Sequence, residues 1–109
     1  MIGIAPRAFI KNGILQRIEL PKNLKTIHTR AFNCCTALQQ IDFPKNLETI
    51  WNNAFAECGL RTVSLPEKLK SIGDHVFNGC HNLKTIYLSR QTKKKYASFP
   101  PGVKLIYLD

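Results

Sequence analysis

The side chains able to do chemistry in this 109-residue chain are four cysteines, three histidines and seven carboxylates. The nearest ligand-type pairs are Cys34-Cys35 and Cys80-His81. A structural zinc site needs two sets of paired ligands spaced roughly as C-x₂₋₄-C, and no such second set exists here. Nucleophilic catalysis needs a nucleophile, a base and an orienting acid within reach of one another. His28, His75 and His81 instead fall in turns or returns of different parts of the chain, and the carboxylates are spread along it. Gly13, Gly59, Gly73, Gly79 and Gly102 sit where turns want them and form no phosphate-cradling loop. The residues therefore assign no catalytic group, no metal site and no cofactor.

What the chain lacks in constellations it has in repetition. Ala8-Phe9 recurs as Ala31-Phe32, Ala54-Phe55 and Val76-Phe77, at intervals of 23, 23 and 22 residues. The short interval reflects one residue fewer in a turn, Cys58-Gly59-Leu60 against Cys35-Thr36-Ala37-Leu38. On that alignment further columns fall into register: Leu15, Leu38, Leu60 and Leu83, then Ile18, Ile41, Val63 and Ile86. Pro21, Pro44 and Pro66 follow, and then Ile4, Ile27, Ile50 and Ile72. A period of this length is the signature of a solenoid, in which a unit too small to bury its own apolar face buries it against the next.

Each unit holds two Leu-x-x-Ile segments. The first alternates apolar and polar residues, as a half-buried strand does, and a proline then turns the chain out of the sheet. The Ala-Phe-x-x-Cys-x-x-Leu piece predicts a short helix or an irregular return. The repeat column also accounts for three cysteines: Cys35, Cys58 and Cys80 share one position, filled by Asn12 in the first unit. They read as small core residues with free thiols, although column-mates about 5 Å apart also lie within disulfide range. Cys34 stands where other units carry Glu57 and Gly79, which predicts exposure and reactivity. Phe9, Phe32, Phe55 and Phe77 are expected to form one buried stack.

The combined pattern Ile-x-x-x-Ala-Phe-x-x-Cys-x-x-Leu-x-x-Ile-x-Leu-Pro-x-x-Leu-x-x-Ile, covering Ile4 to Leu88, resembles the BspA-like class of leucine-rich repeats. The resemblance implies a curved solenoid of the kind found in surface-associated proteins, serving adhesion and protein recognition, and so a cell-surface or secreted setting, although no signal peptide is visible. The expected architecture is α/β: one right-handed leucine-rich-repeat domain over residues 1–109, with short strands, short helical or irregular returns, repeats over about 4–88 and a C-terminal cap over 89–109.

Beyond Leu88 the pattern changes. The polar, basic run Arg90 to Lys95 predicts a capping helix ended by Phe99-Pro100-Pro101-Gly102, and Val103 to Leu108 echoes Leu83 to Leu88 as one more strand. At the other end nothing polar precedes Ile4. The first strand, with Leu15, Ile18 and Leu20, is expected to leave an open edge, covered by further repeats of a longer array or by self-association.

Function is expected on the outward positions of the strands. One row reads Arg17, Gln40, Thr62, Thr85 and Leu105, and its neighbour Glu19, Asp42, Ser64, Tyr87 and Tyr107. Lys84 and Lys104 beside the two tyrosines supply the aromatic and cationic groups common in binding hot spots, although tyrosine is also an ordinary strand residue. The candidate partner-binding residues are Arg17, Glu19, Gln40, Asp42, Lys84, Tyr87, Lys104 and Tyr107. Another protein is the expected partner. A net charge of +9 admits a second reading, an anionic polymer such as acidic glycan or nucleic acid held by Lys84, Arg90, Lys93, Lys94, Lys95 and Lys104. With 44% hydrophobic and 21% charged residues the chain has the composition of a folded domain, and no apolar run is long enough to insert in a membrane.

Overall fold

The computed structural model describes residues 3–95 and 99–109, the side chains of Lys93, Lys94 and Lys95 excepted. Within it the repeat becomes a parallel β-solenoid of about four turns. The second Leu-x-x-Ile segment of each unit supplies a short strand: β1 (Gly3–Ile4), β2 (Thr26–Ile27), β3 (Thr49–Ile50) and β5 (Ser71–Ile72) stack in the order β1-β2-β3-β5. Ile4, Ile27, Ile50 and Ile72 are direct partners across that sheet. The first segment supplies the other sheet, β4 (Thr62–Ser64), β6 (Thr85–Leu88) and β7 (Lys104–Tyr107), also parallel.

The apolar columns meet between these sheets. Leu24, Leu47 and Leu69 are buried beside Leu38, Leu60 and Leu83, with Ile41, Val63 and Ile86 closing the core. The expected phenylalanine stack is present. Ring centroids of Phe9 and Phe32 lie 5.1 Å apart, Phe32 and Phe55 5.0 Å, and Phe55 and Phe77 6.1 Å, all nearly parallel. Phe9 is half-buried because no ring precedes it, whereas the other three are fully buried.

The returns are not helical. Among the described residues the one helix is α1 (Arg90–Lys95), and each return is a run of tight turns. The hydrogen bonding gives the reason. Alternate amides close turns within the coil, as Ala31 N to His28 O, Asn33 N to Arg30 O and Cys35 N to Phe32 O. The intervening ones reach the next coil, as Arg30 N to Asn52 O, Phe32 N to Ala54 O and Cys34 N to Ala56 O. A helix would spend every interior amide on itself and leave none for the neighbouring coil. The cost is two left-handed residues per return, with φ of 58° at Arg30 and 62° at Cys34 and the same conformation at Arg7, Lys11, Asn53, Glu57 and His75.

Two further expectations are corrected. Leu15, Ile18 and Leu20 lie half-buried against the core but form no strand, nor does the equivalent segment from Leu38 to Phe43 in the second unit; the first strand described is β1, on the opposite sheet. And β7 is shifted by one residue from the expected register: Thr85 pairs with Lys104, Ile86 with Leu105, Tyr87 with Ile106 and Leu88 with Tyr107. A one-residue shift exchanges the faces of a strand. Here it lets Leu105 follow Ile86 in the inner row and sends Lys104 outward in place of Leu105. Tyr107 follows buried Leu88 at the end of the coil, where the Arg90 guanidinium covers its ring at 4.9 Å.

Candidate functional site

The outward positions of the first-segment face gather four of the expected residues in one place. Arg17, Glu19, Gln40 and Asp42 line a groove of about 480 Å³ between the first two coils, with Ile18, Leu20 and Ile41 along its floor. All four polar residues are exposed, while Ile41 is buried and Ile18 and Leu20 half-buried. Tyr87 borders a second depression of about 340 Å³ that also involves Gln40 and Asp42, so these five residues share one continuous surface. Arg61 and Ser64 line the same depression. Arg61 lies outside the outward rows read from the sequence, and the signal that finds it is its column, which it shares with Lys84.

The cationic-aromatic end comes together differently from expectation. Tyr87 and Tyr107 are not paired across the strands, since Ile106 stands opposite Tyr87. Lys104 is exposed in the row of Thr85 and Lys84 one position upstream, its amide donating to Arg61 O while its carbonyl accepts from Lys104 N. Tyr107 belongs to a terminal cluster in which the Arg90 guanidinium lies over its ring and 3.6 Å from an Asp109 carboxylate oxygen. The expected basic cluster at Lys93, Lys94 and Lys95 falls on side chains outside the described residues.

On the opposite sheet the structure assembles a pair the rows did not select. Trp51 is 46% exposed and stacks on His28, centroids 6.1 Å apart. Both occupy the column of Ala5 and Gly73, so aligning that column is the signal that would have found them. Beside them Glu48 lies between Lys25 at 3.9 Å and Lys70 at 3.5 Å, an exposed ladder of charges along three coils that contributes little to stability.

The cysteines are thiols embedded in the repeat. Cys35, Cys58 and Cys80 are buried, and each S–H donates to a phenylalanine carbonyl one coil back: Cys35 to Phe9 at 3.1 Å, Cys58 to Phe32 at 2.9 Å, Cys80 to Phe55 at 3.0 Å. Burial pushes the Cys80 thiol up to about 11. Cys34 is half-buried rather than exposed. Its thiol donates to the Glu57 carboxylate at 3.2 Å, and that hydrogen bond holds its pKa above the ordinary thiol value. Among the described residues no group of three His, Cys, Asp or Glu side chains is placed to hold a metal ion.

Comparison with known proteins agrees with this architecture. The family model described as the BspA type leucine rich repeat region matches residues 3–100 in six copies. No curated protein matches. Among solved structures, a leucine-rich repeat protein from Bacteroides ovatus superposes with a TM-score of 0.93 at 28% identity, over 99% of this chain and 28% of that one. The pneumococcal vaccine antigen PcpA gives 0.78 at 31% identity, over 97% and 26%. The leucine-rich repeat protein of T. pallidum gives 0.71 at 31%, over 80% and 52%. The chain thus spans between about a quarter and a half of the length of these similar proteins. Coil, column and match coincide, and the chain belongs to the BspA-type leucine-rich repeat family.

Proposed function

We propose that this chain is a non-enzymatic recognition module that binds a protein partner through the exposed face of its first segments. The observation that carries this reading is the convergence of Arg17, Glu19, Gln40, Asp42 and Tyr87 on one grooved surface. Such a surface combines charge of both signs, an aromatic and a hydrophobic floor, the mixture from which protein interfaces are built. A similar structure named as a vaccine antigen supports a surface setting. On this reading the coil is right-handed, as parallel crossovers overwhelmingly are. Helix α1 and β7 act as its C-terminal cap, with Arg90 and Asp109 closing over Tyr107.

The test is a comparison of ligands and salt. The chain is immobilised and offered a panel of extracellular proteins alongside heparin and duplex DNA, at about 50 and 200 mM salt. Protein binding that survives the higher salt and is lost in a Gln40→Arg, Tyr87→Ala double variant is the expected result. Binding confined to heparin or DNA, falling steeply with salt as phosphate or sulfate contacts do and unaffected by that variant, would replace this reading with the polyanion one.

A further inference from the structure

The first-segment face is not laced uniformly from end to end. Between the later coils its ladder is complete, β4 to β6 to β7. Between the second and third coils a single rung remains on this face, Arg61 N to Gln39 O. Between the first and second there is none: the backbone groups of residues 16–20 and 40–43 make no hydrogen bond to any described residue. Yet the same two coils are tied elsewhere. They are joined by β1 and β2, and by rungs from Arg7, Phe9 and Lys11 to the carbonyls of Thr29, Ala31 and Asn33. The two coils are therefore tied through β1 and β2 and through the return, while the segments that line the groove exchange no hydrogen bond.

From this geometry we infer that the groove between the first two coils is a strand-addition site for an extended polypeptide carrying alternating apolar and basic residues. The inference rests on the recognition reading above and names the partner's conformation. Three observations select this occupant. Two facing segments carry main-chain donors and acceptors that have no partner among the described residues, which an extended peptide backbone can pair with and a compact ligand cannot. The floor made by Ile18, Leu20 and Ile41 offers apolar contact at alternate positions, the spacing of side chains on one face of a strand. And Glu19 and Asp42 stand in adjacent coils on the outward row with Arg17 as the one cation of the lining, so the groove carries one net negative charge on a chain of +9 and favours cationic side chains beside the two carboxylates. A volume of about 480 Å³ lies within the range of pockets that hold ligands.

The test is an amide NMR titration of the whole chain with a capped heptapeptide of alternating lysine and valine. A second peptide of the same sequence is N-methylated at alternate residues, so that it keeps its side chains and loses its hydrogen-bond donors. The expected result is saturable shifts confined to the amides of residues 17–20 and 40–42, slowed exchange of those amides, and at least about tenfold weaker binding of the methylated peptide. A Glu19→Lys, Asp42→Lys variant is expected to lose about tenfold as well, its fold verified by unchanged amide positions over Thr85 to Leu88. Equal binding of the two peptides, shifts elsewhere, or absence of saturation overturns the inference. So does a concentration-dependent shift of the same amides without peptide, which would make a second copy the occupant. A protein partner that depends on Tyr87 while leaving these amides unchanged would sink strand addition and spare the recognition face.

Discussion

At the scale of single residues, the repeat places a thiol at the same point of three coils, and the surroundings give those thiols different properties. Cys34 is the outermost of the four, but its hydrogen bond to Glu57 favours the protonated form, which is the unreactive one. Glu57→Gln removes the anion while keeping an acceptor. Alkylation of Cys34 at about pH 8 is expected to run several-fold faster in that variant, measured by mass spectrometry of native protein, and an unchanged rate would show that the carboxylate does not control it. Cys80 gives a prediction in pH. Its folded pKa of about 11 lies above the ordinary thiol value of 9.0, so the unfolded chain releases the proton first. The stability it confers is complete below about pH 9 and is lost progressively as pH rises through about 11. Two units correspond to about 2–3 kcal/mol. Denaturant midpoints measured between pH 8 and 11 should fall, and should fall less in Cys80→Ala, which carries its own constant penalty for the lost donor and volume.

At the scale of elements, the returns and the turn before each first segment are where sequence and stability meet. Phe55 sits in the middle of the stack, between Phe32 and Phe77 and edge-on to Phe43. Truncation to alanine should cost about 3–5 kcal/mol by denaturant unfolding, as for large core aromatics; a loss below about 1 kcal/mol would show that the stack is not part of the core. The one-residue deletion in the third unit has its own requirement. Gly59 lies so close to the Thr36 carbonyl that a Cβ there would collide with backbone, which cannot yield as a side chain can. Gly59→Ala is expected to destabilise by about 1–3 kcal/mol despite the smaller entropy of the unfolded alanine chain. A stabilised variant would mean that the coils can separate at this point.

At the scale of the molecule, each coil contacts its neighbours, so local order follows local lacing. The first-segment face is fully laddered over β4, β6 and β7 and unlaced over residues 16–20 and 40–43. Native-state hydrogen exchange should therefore show protected amides at Val63, Ile86 and Ile106 and rapid exchange at Ile18, Glu19 and Asp42. Uniform protection along the face would mean that the first coils close up in solution. Two large apolar side chains are exposed near the two ends of the first-segment face, Ile14 at 87% and Leu108 at 64%.

Period, columns and stack are all legible in the order of the amino acids. Phe32, Cys58 and Leu60 can be assigned to the interior from spacing alone, because only stacking buries a face that recurs every 22 or 23 residues. That order also determined which side chains of the first segments point outward, since alternation fixes that from Arg17 to Asp42. It did not determine the last strand. Leu83 to Leu88 and Val103 to Leu108 look alike in two registers, and the choice fell to burial, Leu105 continuing the inner row behind Ile86. Nor could it distinguish helical from turn-built returns, since both suit the Ala-Phe-x-x-Cys spacing. That was decided by where the amides find partners, and here they find them in the next coil, a competition between hydrogen bonds within a segment and hydrogen bonds across 23 residues that no local pattern records.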